Sequence, residues 1–331
     1  MTNKLTTNEI GSLWTQNLQA GMSIQVLKYF LETVEDENIK EIIDETFQVS
    51  NDVYAQTQQY LEVGEFPIPV GFTEDDVNLE APKLFSDALM LQFVENMGKA
   101  GLLAYSLSLS SSVTEEIRSF YSTTLTATTN FFNNAVATSI SKGIFTSAPE
   151  IEIEKEVEFV KGKKYLSPFH KRSLNAVEMT HLFENIKSNA IGELLCTGFA
   201  QTTNSKKVQT FMIKGRDASQ KHIKLFTQLF NESNIHPPMG SSSYVTQSTI
   251  APFSNKLIVF LISVLTSTGQ GNYSAASTAS LRYDLVLLYQ KLAIEIGLYA
   301  KDGVDLMIKN HWLEEPPQAV NRSQLFNRIK G

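Results

Sequence analysis

The sequence contains the same helical unit twice, and this duplication constrains the fold more than any other feature. Residues near 5–150 align with residues 174–319 almost without gaps. The offset is 169 in the first half of each unit, where Glu9 matches Glu178, and 168 in the second half, where Phe85 matches Phe253. Because the two copies share one apolar pattern, we expect each to fold with the same helix order around a core of its own.

Within each unit, apolar residues recur every three or four positions through four segments, which predicts four amphipathic helices. In the first unit, Thr7 is expected to be the N-cap of the first helix. The third helix is expected from about Pro82, a favoured first-turn residue, and is expected to weaken at Gly98 and Gly101. The predicted helices of the second unit span residues 174–203, 205–232, 252–268 and 280–311.

A long connection precedes the third helix of the second unit, from about Ser233 to Ala251. A helix of about 28 residues is about 42 Å long, and about 17 extended residues reach about 56 Å. The connection is therefore long enough to run the length of a bundle, as in ferritin-like folds. In the alternative, it packs across one end of an up-down-up-down bundle. The favoured fold class is all-α, a tandem duplication of a ferritin-like four-helix bundle.

The duplication also predicts the domain boundaries. We expect a first four-helix bundle, an extended linker, a second four-helix bundle and a C-terminal tail, at residues 1–150, 151–173, 174–319 and 320–331 respectively. In the linker, apolar and acidic residues alternate between Glu150 and Glu158, a pattern typical of a strand. The tail is expected to anchor on a bundle through Leu325 and Phe326.

The net charge of −7 at pH 7 argues against a nucleic-acid partner, which would need a basic surface. The most apolar stretch, Leu257–Leu265, is too short for a membrane span, which takes about 20 residues. The N-terminus has no apolar segment of the kind found in signal peptides. The single cysteine, Cys196, lies in an apolar run and is expected to be a small buried hydrophobe. We therefore expect a soluble, cytoplasmic protein, with a monomer favoured over a homodimer.

Ferritin-like bundles often hold two metal ions, which requires a Glu from each of two helices and a Glu-x-x-His string from each of the other two. This chain has one such string, from Glu178 to His181, and its counterpart in the first unit has Ser12 in place of the histidine. Residues 253–268 contain no Asp, Glu or His. A di-iron site cannot be assembled from this set, so no metal, cofactor or catalytic residue is predicted. Glu178 is expected to be a first-turn acid favoured by the helix dipole; a metal role for Glu178 and His181 is the alternative.

Two polar residues occupy core positions of the second unit. His222 falls on the apolar stripe of the second helix, where the first unit has Val53. Glu295 falls on the stripe of the fourth helix, where the first unit has Ala127. Buried polar groups need partners. One hypothesis is a His222–Glu295 pair inside a small polar cavity. In the other, both side chains reach the edge of the bundle or pair for structure only.

Nucleotide-binding glycine loops, a nucleophile elbow and a zinc-binding cysteine pair are all missing from the sequence. Four strings resemble the signature strings of one family: Arg172–Glu178, Pro252–Leu257, Tyr299–Gly303 and Trp312–Pro317. It is a domain-of-unknown-function family of spore-forming Gram-positive bacteria, whose members are tandem ferritin-like bundles distantly similar to spore coat protein F. The resemblance covers nearly the whole chain and implies the fold, but it transfers no activity. Family members favour Asp at the position of Asn255, and they favour a His in the third helix, where this chain has none. This departure from the family's pattern also argues against an inherited metal site.

These observations favour a non-enzymatic helical-bundle protein with a structural or spore-coat-associated role. Its partner would then be another protein or a coat assembly, and it would be associated with the spore. The alternative is a ligand- or metal-binding ferritin-like protein that uses a polar cavity in the second unit, with His222 and Glu295 as the ligand-binding residues.

Overall fold

The computed structural model of the chain describes residues 4–151, 156–169, 171–236, 243–320 and 322. These residues form eight α-helices and no strand, in two groups of four. The first group comprises α1 (Thr7–Thr33), α2 (Glu37–Val63), α3 (Asp87–Ser111) and α4 (Glu115–Ser141). The second group comprises α5 (Ala176–Thr202), α6 (Lys206–Glu232), α7 (Asn255–Ala279) and α8 (Tyr283–Lys309). The prediction of an all-α tandem bundle is confirmed.

Each helix has the same length as its counterpart, with 25 residues in α3 and α7 and 27 in each of the others. Three predicted helix ends are wrong. α1 is capped by Thr6 rather than Thr7. α3 begins at Asp87 rather than near Pro82, because the Ser86 hydroxyl caps it by accepting from the Leu89 N–H. α7 continues to Ala279 instead of ending at residue 268.

The predicted weakening of the third helix at Gly98 and Gly101 is also wrong, because α3 runs through both residues. A Cβ atom at Gly98 would lie 2.9 Å from the Phe131 ring of α4. The glycine therefore allows α3 and α4 to approach closely, and this packing favours the helical conformation despite the low intrinsic helix propensity of glycine.

Hydrogen bonds at the helix ends fix the helix directions in the first bundle. At one end, Glu9 of α1 accepts from the N–H of Thr114, which precedes α4, at 2.8 Å. At the other end, Asp87 of α3 accepts from the N–H of Asp36, which precedes α2, at 2.9 Å. Lys142, which follows α4, also pairs with Asp36. α3 is therefore antiparallel to α1, and α4 to α2. Because α2 and α3 run in the same direction, the connection between them crosses the whole length of the bundle.

The second bundle has the same arrangement. Glu178 of α5 accepts from the N–H of Arg282, which precedes α8, at 3.1 Å. At the opposite end, the Thr203 hydroxyl donates to Asn255, the first residue of α7, at 2.5 Å. The connection between α6 and α7 is therefore a crossover along the bundle, as the chain length predicted, rather than a loop across one end.

The two crossover connections pair with each other and join the bundles. Four backbone hydrogen bonds of 2.8–3.1 Å link them, from the N–H groups of Asn78, Ser86, Thr246 and Ser254 to the carbonyl oxygens of Pro252, Tyr244, Leu84 and Asp76 respectively. Val77 bridges Phe253, and Phe85 bridges Val245, both in antiparallel fashion. Val245 is the repeat counterpart of Val77, and Phe253 that of Phe85. The two bridges are thus exchanged when the repeats are exchanged, so a pseudo-twofold axis relates the bundles.

Aromatic side chains fill the space around this axis. Phe30 and Phe85 of the first bundle and Phe199 and Phe253 of the second form a series of edge-to-face contacts, with centroids 5.8–6.3 Å apart. Gly198 lets Phe85 lie against α5, since a Cβ atom there would be 2.7 Å from the ring. The largest hydrophobic cluster consequently contains residues of both bundles, while the far end of each bundle has a separate cluster.

The predicted linker includes a short 3₁₀ turn at Lys163–Leu166, and most side chains in its described part are exposed. Residues 152–155 of the linker and the predicted tail anchors Leu325 and Phe326 lie outside the described residues. None of the described helices has the length and apolar character needed to cross a membrane.

Candidate functional site

His222 lies inside the second bundle, as its position on the apolar stripe predicted. It belongs to α6, is 0% exposed and packs near Phe226. Burial lowers the pKa of His222 from its ordinary value of 6.5, because the cost of desolvating a charged ring outweighs the attraction of Glu295. The imidazole is therefore neutral near pH 7, with one ring nitrogen acting as a donor and the other as an acceptor.

A chain of hydrogen bonds fixes which nitrogen carries the proton. The side-chain amide of Asn189 on α5 donates to the hydroxyl oxygen of Tyr273 on α7, at 2.8 Å. The same oxygen lies 2.8 Å from Nδ1 of His222. Because the Tyr273 oxygen already accepts from Asn189, its own proton is available to donate to Nδ1. This arrangement favours the tautomer of the neutral histidine that carries its proton on Nε2.

His222 Nε2 is buried and has no hydrogen-bond partner among the residues that the structure describes. Glu295 Oε2 lies 3.8 Å away, which is too long for a hydrogen bond. The Glu295 carboxylate instead pairs with Lys221 at 2.6 and 2.8 Å, and its side chain is 32% exposed. The structure thus brings the two predicted residues together without joining them. His222 is in the interior, and Glu295 is at the edge of the bundle.

A cavity of about 80 Å³ lies beside His222, enclosed by residues of α5, α6, α7 and α8. The Tyr299 hydroxyl at its wall is also buried without a hydrogen-bond partner in the described part of the chain. Gly215 makes room for this hydroxyl, since a Cβ atom there would lie 2.3 Å from the oxygen. One water needs about 15 Å³ by this measure, so the cavity accommodates several waters or one molecule of a few non-hydrogen atoms.

The cavity adjoins the surface between α6 and α8. A shallow depression on that surface shares Ala218 and Tyr299 with the cavity lining. The ion pair of Lys221 and Glu295 lies at the rim of this depression.

Cys196 also lines the cavity, as the one titratable thiol of the chain. Its burial raises the pKa of the thiol to about 12. Because the thiolate is the reactive form of cysteine, this side chain behaves as the small buried hydrophobe that the sequence predicted.

The first bundle has a cavity in the equivalent position, with a volume of about 100 Å³. In the repeat alignment, Val53 corresponds to His222, and Phe131 corresponds to Tyr299. The two side chains that have an unpartnered polar atom beside the second cavity therefore have apolar counterparts in the first bundle. Tyr105, the counterpart of Tyr273, lines this cavity. The duplicated fold therefore contains two related cavities, and the His222–Tyr273–Asn189 set belongs to the second.

The Glu178–His181 string has a structural explanation. Glu178 is 0% exposed, and its carboxylate accepts two bonds from the guanidinium of Arg172, at 2.8 and 2.9 Å. It also accepts from the backbone N–H groups of Asn175, Leu281 and Arg282. Burial alone would raise the pKa of Glu178, but these donors outweigh it and lower the pKa. Five donors occupy the carboxylate, so it is a cap and an ion-pair partner, as the helix-dipole interpretation favoured.

A metal site would need at least three suitable ligands. Across the described residues, no three His, Cys, Asp or Glu side chains are grouped as such a site requires. Around the cavity, His222 carries its proton on the nitrogen that faces Glu295, and Glu295 is bound to Lys221. This donor set suits hydrogen bonding better than metal coordination.

The paired crossovers, the repeated helix lengths and the twin cavities define a tandem four-helix-bundle protein. The chain belongs to the family described as "Protein of unknown function (DUF3231)", which matches residues 1–157 and again residues 166–325. Among solved structures, it is similar to a "putative spore coat protein" from Bacillus halodurans C-125. The two are 21% identical, with a TM-score of 0.41, and the match covers 46% of this chain and 98% of the other. No curated protein matches the sequence.

Sequence reasoning missed three residues of the site: Asn189, Gly215 and Tyr299. Each differs in kind from its repeat counterpart, which is Ala20, Thr46 and Phe131 respectively. The signal that would have found them is a comparison of the two repeats at every core position, rather than a search for charged residues on the stripes.

Proposed function

We propose that the protein binds a small, uncharged, polar molecule in the cavity of the second bundle and does not convert it chemically. The observation that carries this proposal is the buried Nε2 atom of His222, which has no hydrogen-bond partner within the described structure; the hydrogen bond of Nδ1 with Tyr273 favours the tautomer in which Nε2 is a donor. A buried donor without a partner costs about 1–3 kcal/mol. A ligand oxygen that accepts from Nε2 would recover much of that cost.

The chemistry of the lining supports an uncharged ligand. His222 is neutral, and the carboxylate of Glu295 is compensated by Lys221 at the rim. An ionic ligand would lose its hydration without gaining a counter-charge, which is expensive. The Tyr299 hydroxyl offers the ligand a second hydrogen bond. The favoured ligand is therefore a molecule of a few non-hydrogen atoms with a carbonyl or hydroxyl oxygen.

Recognition without catalysis is supported by the state of the two reactive groups. Cys196, with a thiol pKa of about 12, is a poor nucleophile at neutral pH. His222 Nδ1, the basic nitrogen of the ring, is engaged by the Tyr273 hydroxyl. Neither group is free to act as a nucleophile or a general base.

A structural or spore-coat-associated role is the second candidate. It is supported by the hydrophobic cluster that includes residues of both bundles, because such a core makes one stiff building block of the two. Binding in the cavity and a structural role are compatible, since they use different parts of the molecule.

The cavity proposal is tested by titrating ¹⁵N-histidine-labelled protein with acetamide and recording the imidazole resonances of His222. We expect a saturable shift of the Nε2 signal, because the amide oxygen accepts from Nε2–H. Acetate, which has the same size and a negative charge, should bind at least about tenfold more weakly, a difference of about 1.4 kcal/mol.

The matched variants are Gly269→Leu and Gly271→Leu, both on α7. Gly269 lines the cavity, and a Cβ atom there would meet only Ile296, at an ordinary contact distance of 3.8 Å, so leucine can be accommodated and should fill the site. Gly271 is exposed, with nothing near its Cβ position. Gly269→Leu should abolish the acetamide shift and Gly271→Leu should preserve it. An absent shift in the wild type, or an equal shift in Gly269→Leu, would contradict the proposal.

A further inference from the structure

Helices α2 and α6 occupy equivalent positions in the two bundles but have opposite charge. α2 carries six acidic residues and one lysine, whereas α6 carries six basic residues and two acidic ones. At three positions of the repeat alignment the charge is reversed. Glu37, Glu45 and Asp52 of α2 align with Lys206, Lys214 and Lys221 of α6 respectively. A chain with a net charge of −7 therefore keeps a strongly basic helix.

On each helix, the charges share one face. At 3.6 residues per turn, the six carboxylates of α2 fall within a sector about 100° wide. These residues are Glu37, Glu41, Asp44, Glu45, Asp52 and Glu62. Five of the six basic residues of α6 fall within the corresponding sector, also about 100° wide. They are Lys206, Lys207, Lys214, Lys221 and Lys224. We call these two surfaces the acidic face and the basic face.

Both faces are open to solvent. Every residue of the acidic face is exposed except Glu45, which is partly buried, and all five lysines of the basic face are exposed. In the described structure, none of the six carboxylates has a cation within ion-pair distance. Lys214 and Lys221 pair with Asp302 and Glu295 of α8, while the other three lysines have no acidic partner among the described residues.

The two faces lie on the outer helices of the bundles. α2 packs on α1, α3 and α4, and α6 packs on α5 and α8. In the described structure, the main helix contact between bundles is α3 with α5, and the crossover connections supply the rest of the junction. α2 and α6 therefore belong to different bundles and are not among the helix pairs that pack substantially on each other in the described structure.

We infer that the acidic face of one copy docks on the basic face of a second copy. The charge complementarity of two elongated surfaces of equal helix length supports this contact. The contact is heterologous, because it uses different surfaces on the two partners. Each added copy leaves one acidic and one basic face free, so the association continues head to tail into a chain or a ring. The inference is independent of ligand binding in the cavity.

The test uses two charge-reversal variants of the full chain that leave every described ion pair intact. The first variant carries Glu37→Lys, Glu41→Lys and Asp52→Lys. The second variant carries Lys206→Glu, Lys207→Glu and Lys224→Glu. Sedimentation velocity is measured over a range of protein concentrations in about 20 mM salt, where the Debye length exceeds 20 Å, and again in about 1 M salt, where it is about 3 Å.

We expect wild-type protein to associate at low salt and to dissociate at high salt, and each variant to associate at least tenfold more weakly. Mixing the two variants should restore pairwise association, because the first variant keeps an unaltered basic face and the second keeps an unaltered acidic face. This rescue also shows that both variants are folded. A wild type that stays monomeric at low salt overturns the inference. It is also overturned if either variant associates like the wild type, or if the mixture remains monomeric.

Discussion

A single residue, His222, carries most of the chemical difference between the two cavities. At the equivalent position, the first bundle has Val53, whose apolar side chain needs no hydrogen-bond partner. His222 instead depends on a hydroxyl from α7 and an amide from α5 to fix its tautomer. Three helices thus hold the His222 ring in one orientation beside the cavity, so its position is set before any ligand arrives.

The buried histidine should make the stability of the protein depend on pH. The unfolded chain takes up a proton at His222 near pH 6.5, whereas burial lowers the pKa in the folded state. Between the lowered folded-state pKa and about pH 6.5, the folded protein therefore binds fewer protons than the unfolded chain, and its stability falls as the pH decreases through this range, by up to about 1.4 kcal/mol per pH unit.

His222→Leu should remove this component. Urea unfolding at about pH 7.5 and about pH 5 should show a smaller loss of stability in the variant than in the wild type. Identical losses in the two proteins would mean that His222 is not protonated on unfolding in this range, contrary to the expectation.

The sequence was sufficient to find His222 and Glu295 but not their relation. Both were visible because a polar residue interrupted an apolar stripe. The distance of 3.8 Å between His222 Nε2 and Glu295 Oε2 depends on the separation of the α6 and α8 axes, and so does the ion pair of Glu295 with Lys221. Helix periodicity fixes the direction of a side chain from its axis, not the spacing between axes, so this part of the site could not be predicted.

At the scale of helices, the glycines of α3 and α7 show why two predicted features were wrong. Glycine has a low intrinsic helix propensity, and the sequence prediction treated it as a point of weakness. In the structure, the side chains packed around each glycine determine whether the helix continues through it. Gly98 contacts the rings of α4, and Gly269 borders the cavity within a continuous α7. The crossover topology, in contrast, followed from chain length alone and was predictable.

Two glycine substitutions should have opposite effects. Gly98→Ala should destabilise the protein, because its Cβ would lie 2.9 Å from Phe131 and 3.1 Å from Phe132. Gly271→Ala, with no atom near its Cβ, should stabilise it by up to about 1 kcal/mol through helix propensity. Thermal unfolding followed by circular dichroism measures both shifts. A gain in stability for Gly98→Ala would contradict the packing explanation.

At the scale of the whole molecule, the cluster around Phe85 and Phe253 makes each bundle part of the other's core. Phe85 belongs to the first bundle but contacts Phe199 on α5 with centroids 5.8 Å apart. The domain boundaries predicted from the repeat divide the sequence into two units. The largest hydrophobic cluster, in contrast, contains side chains from both units. A sequence alignment of repeats detects the first of these but contains no information on the second.

Phe85→Ala should therefore loosen the second bundle as well as the first. Removing a buried phenylalanine costs about 3–5 kcal/mol, and the cavity that remains borders Gly198. Hydrogen exchange measured by mass spectrometry should accelerate in α5. Ile117→Ala, in the separate cluster at the far end of the first bundle, serves as the control and should leave α5 protected. Unchanged exchange of α5 in Phe85→Ala would show that the bundles are energetically separate.

The pairing of the two crossovers has a consequence for how the halves can diverge. If the bundles were separate, identical chains, the same pseudo-twofold junction would build a homodimer, and every mutation would appear on both sides. A covalent connection removes that restriction. One half can acquire His222 while the other keeps Val53, and α6 can become basic while α2 stays acidic. The fused chain thus has two distinguishable ends, a directionality that no symmetric pair of identical subunits can possess.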